Sequence, residues 1–200
     1  MSCTEGFGID DEDIKQLQPL LDETDKKQAS HSFGGWEQVL LYLQSTDFVE
    51  AAENHDYLVI QIDTDICEQK NFGVSPISLA QHNQIEFYAL IKQRLINKIN
   101  ERYSDNFIKY NHKIIFCICI HSLECWLLAH YQTKKPKNPK ITGCEEALSR
   151  VLNKQGISFQ KDYRCYDNLS RPFLQSKNIN NAAKHTLSFD AFIQQLTPLF

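Results

Sequence analysis

The chain lacks the features that mark membrane-spanning, secreted and low-complexity proteins. No stretch approaches the roughly 20 consecutive apolar residues that a membrane-spanning helix needs. The first residues, Met-Ser-Cys-Thr-Glu-Gly, carry neither the basic start nor the apolar segment of a secretion signal. Apolar residues make up 42% of the 200 residues and charged residues 23%, which is typical of a globular protein. We therefore expect a cytoplasmic protein with no membrane partner.

The cysteines do not form a pattern that predicts a disulfide framework or a zinc site. There are seven of them, an odd number, and no second pair stands at zinc-finger spacing. Without a secretion signal, we expect all of them to be reduced thiols. The tightest group, Cys117, Cys119 and Cys125, begins in an apolar run and is expected to pack as small apolar side chains.

Acidic and basic residues are unevenly distributed along the chain. Residues 1–133 contain 20 acidic and 10 basic side chains, whereas residues 134–200 contain 5 acidic and 11 basic ones. This asymmetry is expected of a metal site next to a phosphate-binding surface. A solvated basic face would give the same distribution, so both interpretations stay open.

Strand-like and helix-like segments alternate, which is typical of an α/β fold. The predicted strands cover residues 1–4, 27–33, 57–62 and 113–120. The predicted helices cover residues 10–21, a segment containing Trp36 to Leu43, and residues 82–102, 122–131, 144–154 and 188–197. The pattern predicts an open, mainly parallel four-stranded sheet with helices on both faces, in a domain spanning residues 1–132. A basic, proline-broken loop and a helical extension, residues 133–200, would pack on this domain.

Carboxylates and glycines follow the four predicted strands at the point where each strand ends. Glu5 follows the first strand, Gly34 and Gly35 the second, Asp63 and Asp65 the third, and Glu124 the fourth. Right-handed crossovers would bring these strand ends to one rim, where ligands bind in open α/β sheets. Two adjacent aspartates repel each other unless a cation lies between them. The sequence therefore predicts a Mg²⁺ or Mn²⁺ site, although Asp-x-Asp after a strand also serves as a turn or cap.

The order of these motifs resembles the TOPRIM domain of topoisomerases, primases and overcoming-lysogenization-defect nucleases. That family has a Glu-Gly after the first strand, a Gly at the second strand-to-helix turn and an Asp-x-Asp after the third strand. Here these are Glu5-Gly6, Gly34-Gly35 and Asp63-Thr64-Asp65. The segment Glu124-Cys125-Trp126-Leu127-Leu128 also resembles the Glu-x-Trp-Leu-Leu helix of RloB-like, TOPRIM-related proteins, which lie near restriction and phage-defence genes.

The resemblance implies a role for each residue of the rim. Asp63 and Asp65 would hold one or two Mg²⁺ ions, and Glu5 would bind a second metal or move a proton. Gly34 and Gly35, as the cofactor-binding glycines, would let a ligand approach the backbone closely. Glu124 would add a further catalytic carboxylate or, alternatively, interact with the dipole of its own helix.

Basic residues of the second half are predicted to contact nucleic acid. The candidates for backbone contacts are Lys134, Lys135, Lys137 and Arg171. Tyr163 and Tyr166 are candidates for stacking on bases. A solvated loop is the alternative interpretation of the lysines.

The resemblance implies a Mg²⁺-dependent, phosphodiester-cleaving, nuclease-like effector of a prokaryotic defence system, with nucleic acid as its partner. The alternative is a non-catalytic interaction module that acts through a protein partner, such as an ATPase encoded in the same operon. A phosphatase that forms an aspartyl phosphate is a weaker interpretation, because its nucleophilic Asp belongs to the first strand. An oligomer is compatible with the sequence.

Overall fold

The structure, a computed structural model, describes residues 14–17, 35–74, 76–132 and 140–199. The strands are β1 (Leu58–Asp63) and β2 (Ile114–Cys119). The helices are α1 (Gly35–Leu43), α2 (Thr46–Asn54), α3 (Ser78–His82), α4 (Gln84–Ile99), α5 (Asn106–Tyr110), α6 (Leu123–Tyr131), α7 (Cys144–Asn153), α8 (Tyr163–Ser170), α9 (Ser176–Ala183) and α10 (Leu187–Leu196). None of these helices is long and apolar enough to cross a membrane.

The two strands form a parallel pair in register. Leu58 lies opposite Ile114 and Asp63 lies opposite Cys119, so both carboxyl ends meet at one rim. Every residue of β2 is buried, as expected of an apolar strand covered on both faces. In β1 burial alternates, and Val59 is 56% exposed, so the helices that the structure describes cover one face of this strand.

Side chains on the two faces of β2 belong to two separate apolar cores. Ile114, Phe116 and Ile118 join one face of β1 and helices α1 to α5 in the first core. Ile115, Cys117 and Cys119 lie in the second core, which contains the buried residues of α6 to α10. The second core therefore joins the sheet to the helices of the predicted C-terminal extension.

The prediction of an open four-stranded sheet is wrong, because the sheet in the described ranges contains β1 and β2 alone. The predicted strands 1–4 and 27–33 lie outside the described residues. A physical reason is visible at the outer edge of β2, which α10 closes. The Gln195 amide donates to the Phe116 carbonyl at 3.0 Å and accepts from the Phe116 N–H at 2.9 Å. Ser188 Oγ accepts from the Ile120 N–H at 3.3 Å, so side chains take the bonds that another strand would need.

Most predicted elements within the described ranges are confirmed, including both strands and the helices at 82–102, 122–131, 144–154 and 188–197. Residues 14–17 of the predicted first helix are not helical. The sequence prediction missed α2, α3, α5, α8 and α9. The start of α8 is fixed by Asp162, whose carboxylate accepts from the Cys165 N–H at 2.8 Å as an N-cap.

Two cysteines are joined, so the prediction that all seven are reduced thiols is wrong. Cys125 of α6 and Cys144 of α7 form a disulfide with their Cα atoms 5.0 Å apart. Both residues are buried in the second core, at 4% and 0% exposure. Cys117 and Cys119 are free and buried, as expected of apolar packing. The disulfide ties α6, which follows β2, to the helical extension.

Candidate functional site

The predicted aspartate pair lies at the carboxyl end of β1. Asp63 is the last residue of the strand and is half-buried, whereas Asp65 is exposed in the 3-10 turn Thr64–Ile66. Asp63 projects from the same face of the sheet as Cys119, which lies opposite it in β2. The pair thus stands where ligands bind in parallel α/β sheets.

The ends of both strands are held together by bonds between the turn after β1 and His121. The His121 N–H donates to Thr64 Oγ1 at 2.7 Å, and the Asp65 N–H donates to the His121 carbonyl at 2.9 Å. Thr64 is fully buried, and His121 has φ 65°, in the left-handed region that non-glycine residues seldom adopt. These bonds fix the backbone that carries the aspartate pair.

The Asp63 carboxyl is in an environment that disfavours its charged form. Burial raises its pKa from the ordinary 3.8 to about 6, and the charges of Glu124 and Asp65 add to this shift. Hydrogen bonds from the Cys119 thiol and the Leu123 N–H oppose the shift. Asp63, Asp65 and Glu124 are therefore close enough for their negative charges to interact.

Glu124 is the most buried of these carboxylates, and its Oε1 atom has two side-chain partners. It lies in the first turn of α6 and is 2% exposed. Its Oε1 atom accepts from the Tyr166 hydroxyl at 2.5 Å and lies 3.4 Å from Lys161 Nζ. Lys161 also bonds Glu145 Oε2 at 3.0 Å. The beginning of α8 is therefore attached directly to the carboxylate rim.

The surroundings of Glu124 stabilise its charged form, in contrast to those of Asp63. Burial is the largest influence on the pKa of Glu124 and raises it. Hydrogen bonds from the Ser122 and Tyr166 hydroxyls and the charge of Lys161 more than offset burial, so this pKa lies below its ordinary value. Burial and the bond to Glu124 raise the pKa of Tyr166 well above its usual range, so the phenol keeps its proton. Two neighbouring carboxyls whose pKa values are pushed apart are suited to separate roles in acid–base chemistry.

The other predicted site residues are distributed as follows. Glu5, Gly34, Lys134, Lys135 and Lys137 lie outside the described residues. Gly35 is the exposed first residue of α1. Arg171 is exposed and pairs with Asp167 of α8 at 3.2 Å. Among the described residues, the ion pair of Arg171 is with Asp167 and not with the aspartate pair or Glu124.

Sequence reasoning missed three neighbours of the carboxylates. Tyr166 was predicted to stack on bases, but the structure uses its hydroxyl to bond Glu124. Lys161 was not singled out, because no local motif marks a lysine that reaches a carboxylate 37 positions earlier. The Cys119 thiol bonds Asp63 because the register of the strand pair places the two residues opposite each other. Local sequence patterns do not give that register.

The donor chemistry of the aspartate pair fits a hard divalent cation. Within the described residues, no three Asp, Glu, His or Cys side chains are grouped in a geometry that could hold a metal ion. Mg²⁺ is commonly bound by one or two carboxylates together with waters and substrate phosphate. Asp63 and Asp65 can supply that minimum. A cation between them would relieve the repulsion that helps to raise the pKa of Asp63.

Comparison with known proteins does not place the chain in a family. No protein-family model, curated protein or solved structure matches it. The TOPRIM-like resemblance therefore stays a prediction from the motifs.

Proposed function

We propose that the chain is a divalent-metal-dependent enzyme that cleaves phosphodiesters, in a nuclease-like effector. The observation that carries the proposal is the Asp63–Asp65 pair at the carboxyl end of β1, next to Glu124, with the pKa of Asp63 raised to about 6. A carboxyl whose charged form is disfavoured and which lies at the rim where ligands bind is a candidate for a functional residue.

Each carboxylate has a distinct part in this proposal. Asp63 and Asp65 hold Mg²⁺ or Mn²⁺, which when bound neutralises charge on the phosphate under attack. Glu124 stays ionised through its bonds with Tyr166 and Lys161 and adds to the negative potential that draws a cation to the rim. Glu5 belongs to the proposal through the resemblance alone, as the candidate for a second metal or for proton transfer.

The biological setting belongs to the same proposal. The resemblance to RloB-like proteins supports a cytoplasmic role in prokaryotic defence with nucleic acid as the partner. The basic balance of residues 134–200 supports contact with phosphates.

Cleavage by single variants tests the proposal. Plasmid DNA and RNA are incubated with Mg²⁺ or Mn²⁺ and with the wild type, Asp63→Ala or Asp65→Ala. Asp56→Ala is the matched control, because Asp56 is an exposed aspartate just before the opposite end of β1. We expect cleavage by the wild type and the control and its loss in both site variants. Equal cleavage by all four proteins would show that the aspartate pair is not the catalytic site.

One observation favours a second candidate, the non-catalytic module that acts through a partner such as an ATPase. Glu124 already has its bonds from Tyr166 and Lys161, so this part of the rim is electrostatically balanced without a metal. This candidate predicts that Mn²⁺ leaves the melting temperature unchanged, because only a bound ligand stabilises the folded state by mass action. A Mn²⁺-dependent rise that Asp65→Ala removes would rule it out.

A further inference from the structure

The segment that begins α8 presents an exposed tyrosine close in sequence to two cations. Tyr163, the first residue of the helix, is 67% exposed, and Lys161 and Arg164 are exposed as well. The acidic Asp162, which lies between Lys161 and Tyr163, accepts from the Cys165 N–H as the N-cap of the helix. Among the described residues, neither the Tyr163 hydroxyl nor the Arg164 guanidinium has a hydrogen-bond or ion-pair partner. We call Lys161, Tyr163 and Arg164 the α8 surface.

The α8 surface is continuous with the carboxylate rim. Tyr163 and Tyr166 are three positions apart on one helix, so their side chains lie on the same face. The Tyr166 hydroxyl bonds Glu124, and Lys161 Nζ lies 3.4 Å from the same carboxylate. A ligand on the α8 surface would therefore extend directly towards the candidate metal site.

Lys161 can exchange its bond with Glu145 for a bond to a ligand at small cost while it stays beside the buried Glu124. The Lys161 side chain is 57% exposed and the Glu145 side chain is 48% exposed. An ion pair between side chains of such exposure contributes little to stability. The ammonium has three donors and is not confined to one geometry. A phosphate that reaches the rim would thus meet a cation that is already in place.

We infer that the α8 surface binds single-stranded nucleic acid, with Tyr163 stacking on a base and Lys161 and Arg164 contacting the backbone phosphates. This inference rests on the proposed function and names its substrate class. An exposed aromatic ring with flanking cations is the combination that binds single strands without sequence preference. A duplex presents phosphates but keeps its bases stacked inside, so it would use the cations and leave the tyrosine without a partner. Tyr166 takes no part in stacking, because its hydroxyl is held by Glu124.

Binding in EDTA tests the inference separately from cleavage. The probe is a fluorescent oligo-dT or oligo-U, compared with a duplex of the same length by fluorescence anisotropy. Tyr163→Ala should weaken single-strand binding by about five- to hundred-fold and leave duplex binding unchanged. Tyr163→Phe should retain it, because the ring is kept. Tyr103→Ala is the control, since Tyr103 is 44% exposed and lies in the connection between α4 and α5.

The salt dependence of binding tests Lys161. Lys161→Gln should reduce the slope of log affinity against log salt by about 0.7, the value for one phosphate contact on a single strand. Lys161→Arg should keep the slope. Lys109→Gln is the control, because Lys109 is 61% exposed and is likewise paired, with Glu53 at 3.3 Å.

The outcomes separate this inference from the proposed function. If Tyr163→Ala binds single strands as tightly as Tyr103→Ala does, or the wild type does not bind them, the inference is overturned. The cleavage test of Asp63 and Asp65 is then still decided on its own. If the aspartate variants cleave normally while the Tyr163 and Lys161 effects are found, the proposed metal site fails and the nucleic-acid surface stands.

Discussion

The Tyr166 hydroxyl donates a hydrogen bond of 2.5 Å to Glu124, and this contact joins α8 to α6 through two residues that are 42 positions apart in the sequence. The carboxylate is buried, so its charge depends on this donor and on Lys161. Because a buried charge without partners costs several kcal/mol, this contact fixes α8 against the start of α6. Stability and the geometry of the candidate site are therefore linked at one residue.

Tyr166→Phe should destabilise the protein by about 2–3 kcal/mol, because it removes a hydrogen bond to a charged, buried group. Urea unfolding at pH 7.5 measures the effect. Tyr131→Phe is the matched control: the Tyr131 hydroxyl donates to the neutral Leu169 carbonyl at 2.9 Å, so its loss should cost about 1 kcal/mol.

The cost of Tyr166→Phe should also depend on pH. The pKa of folded Glu124 is lowered, so its ionisation stabilises the fold above the unfolded pKa, and this contribution is lost as the pH falls through the folded pKa. The difference between Tyr166→Phe and the wild type should therefore shrink in acid. A cost that is the same in acid and at pH 7.5 would show that the bond does not serve the charged form.

Asp63→Asn should stabilise the protein near neutral pH in EDTA. The folded pKa of Asp63, about 6, lies above the ordinary 3.8, so the folded state binds the proton more tightly than the unfolded state does. Unfolding free energy therefore falls as the pH rises from about 4 to about 6 and stays lower above that range. At 1.36 kcal/mol per pKa unit, the difference between about 6 and 3.8 corresponds to about 3 kcal/mol for a fully buried carboxyl. Because Asp63 is only half-buried, we expect Asp63→Asn to raise the free energy of unfolding by about 1–2 kcal/mol.

Thermal unfolding of Asp63→Asn and the wild type at acidic and neutral pH checks this prediction. The variant should melt higher at pH 7.5, and the two curves should converge near pH 4. Asp56→Asn, an exposed aspartate, is the control and should change little. A variant that melts below the wild type at pH 7.5 would show that the Asp63 charge is satisfied in the protein alone. A gain in stability together with a loss of cleavage is the trade-off expected of a functional residue.

The disulfide predicts five reactive thiols in the denatured, unreduced protein, because two of the seven cysteines are joined. Reduction with dithiothreitol, or the double change Cys125→Ala and Cys144→Ala, should lower stability by about 2–4 kcal/mol. Cys67→Ala corrects for the loss of a buried sulfur, since Cys67 is free and fully buried. Seven reactive thiols before reduction would show that the pair is not oxidised in solution.

Local patterns predicted the elements that carry strong local signals, and these are the elements that the structure confirms. The apolar runs of β1 and β2 and the periodic apolar stripe of α4 specify their own structure. The α8 and α9 segments could not be predicted in this way. They are only eight residues long, polar on average, and owe their stability to packing in the second core around Leu169 and Ile179.

The candidate site was predictable to the same extent. Asp63 ends a strand that can be recognised from the sequence, Asp65 and Glu124 each follow one, and parallel pairing brings such ends together. Tyr166 and Lys161 could not be found, because their contacts with Glu124 depend on how α8 packs. The four-stranded sheet was wrong for a similar reason: a glutamine in a helix gives no local sign that it will bond the edge of a strand.

Gln195→Met tests whether the bonds from Gln195 close the edge of β2. Methionine has a similar shape but cannot bond the Phe116 N–H and carbonyl, which Gln195 now satisfies at 2.9 and 3.0 Å. Leaving these backbone groups without partners should cost about 1–3 kcal/mol. Hydrogen exchange at the Phe116 amide should accelerate by a larger factor than at other β2 amides. Gln194→Met is the control, because the neighbouring Gln194 is exposed and, among the described residues, its side chain bonds the Asp190 carboxylate of its own helix and no backbone group of β2. If both variants unfold alike, the edge of β2 is closed by the apolar packing of α10, and the glutamine is not needed to end the sheet.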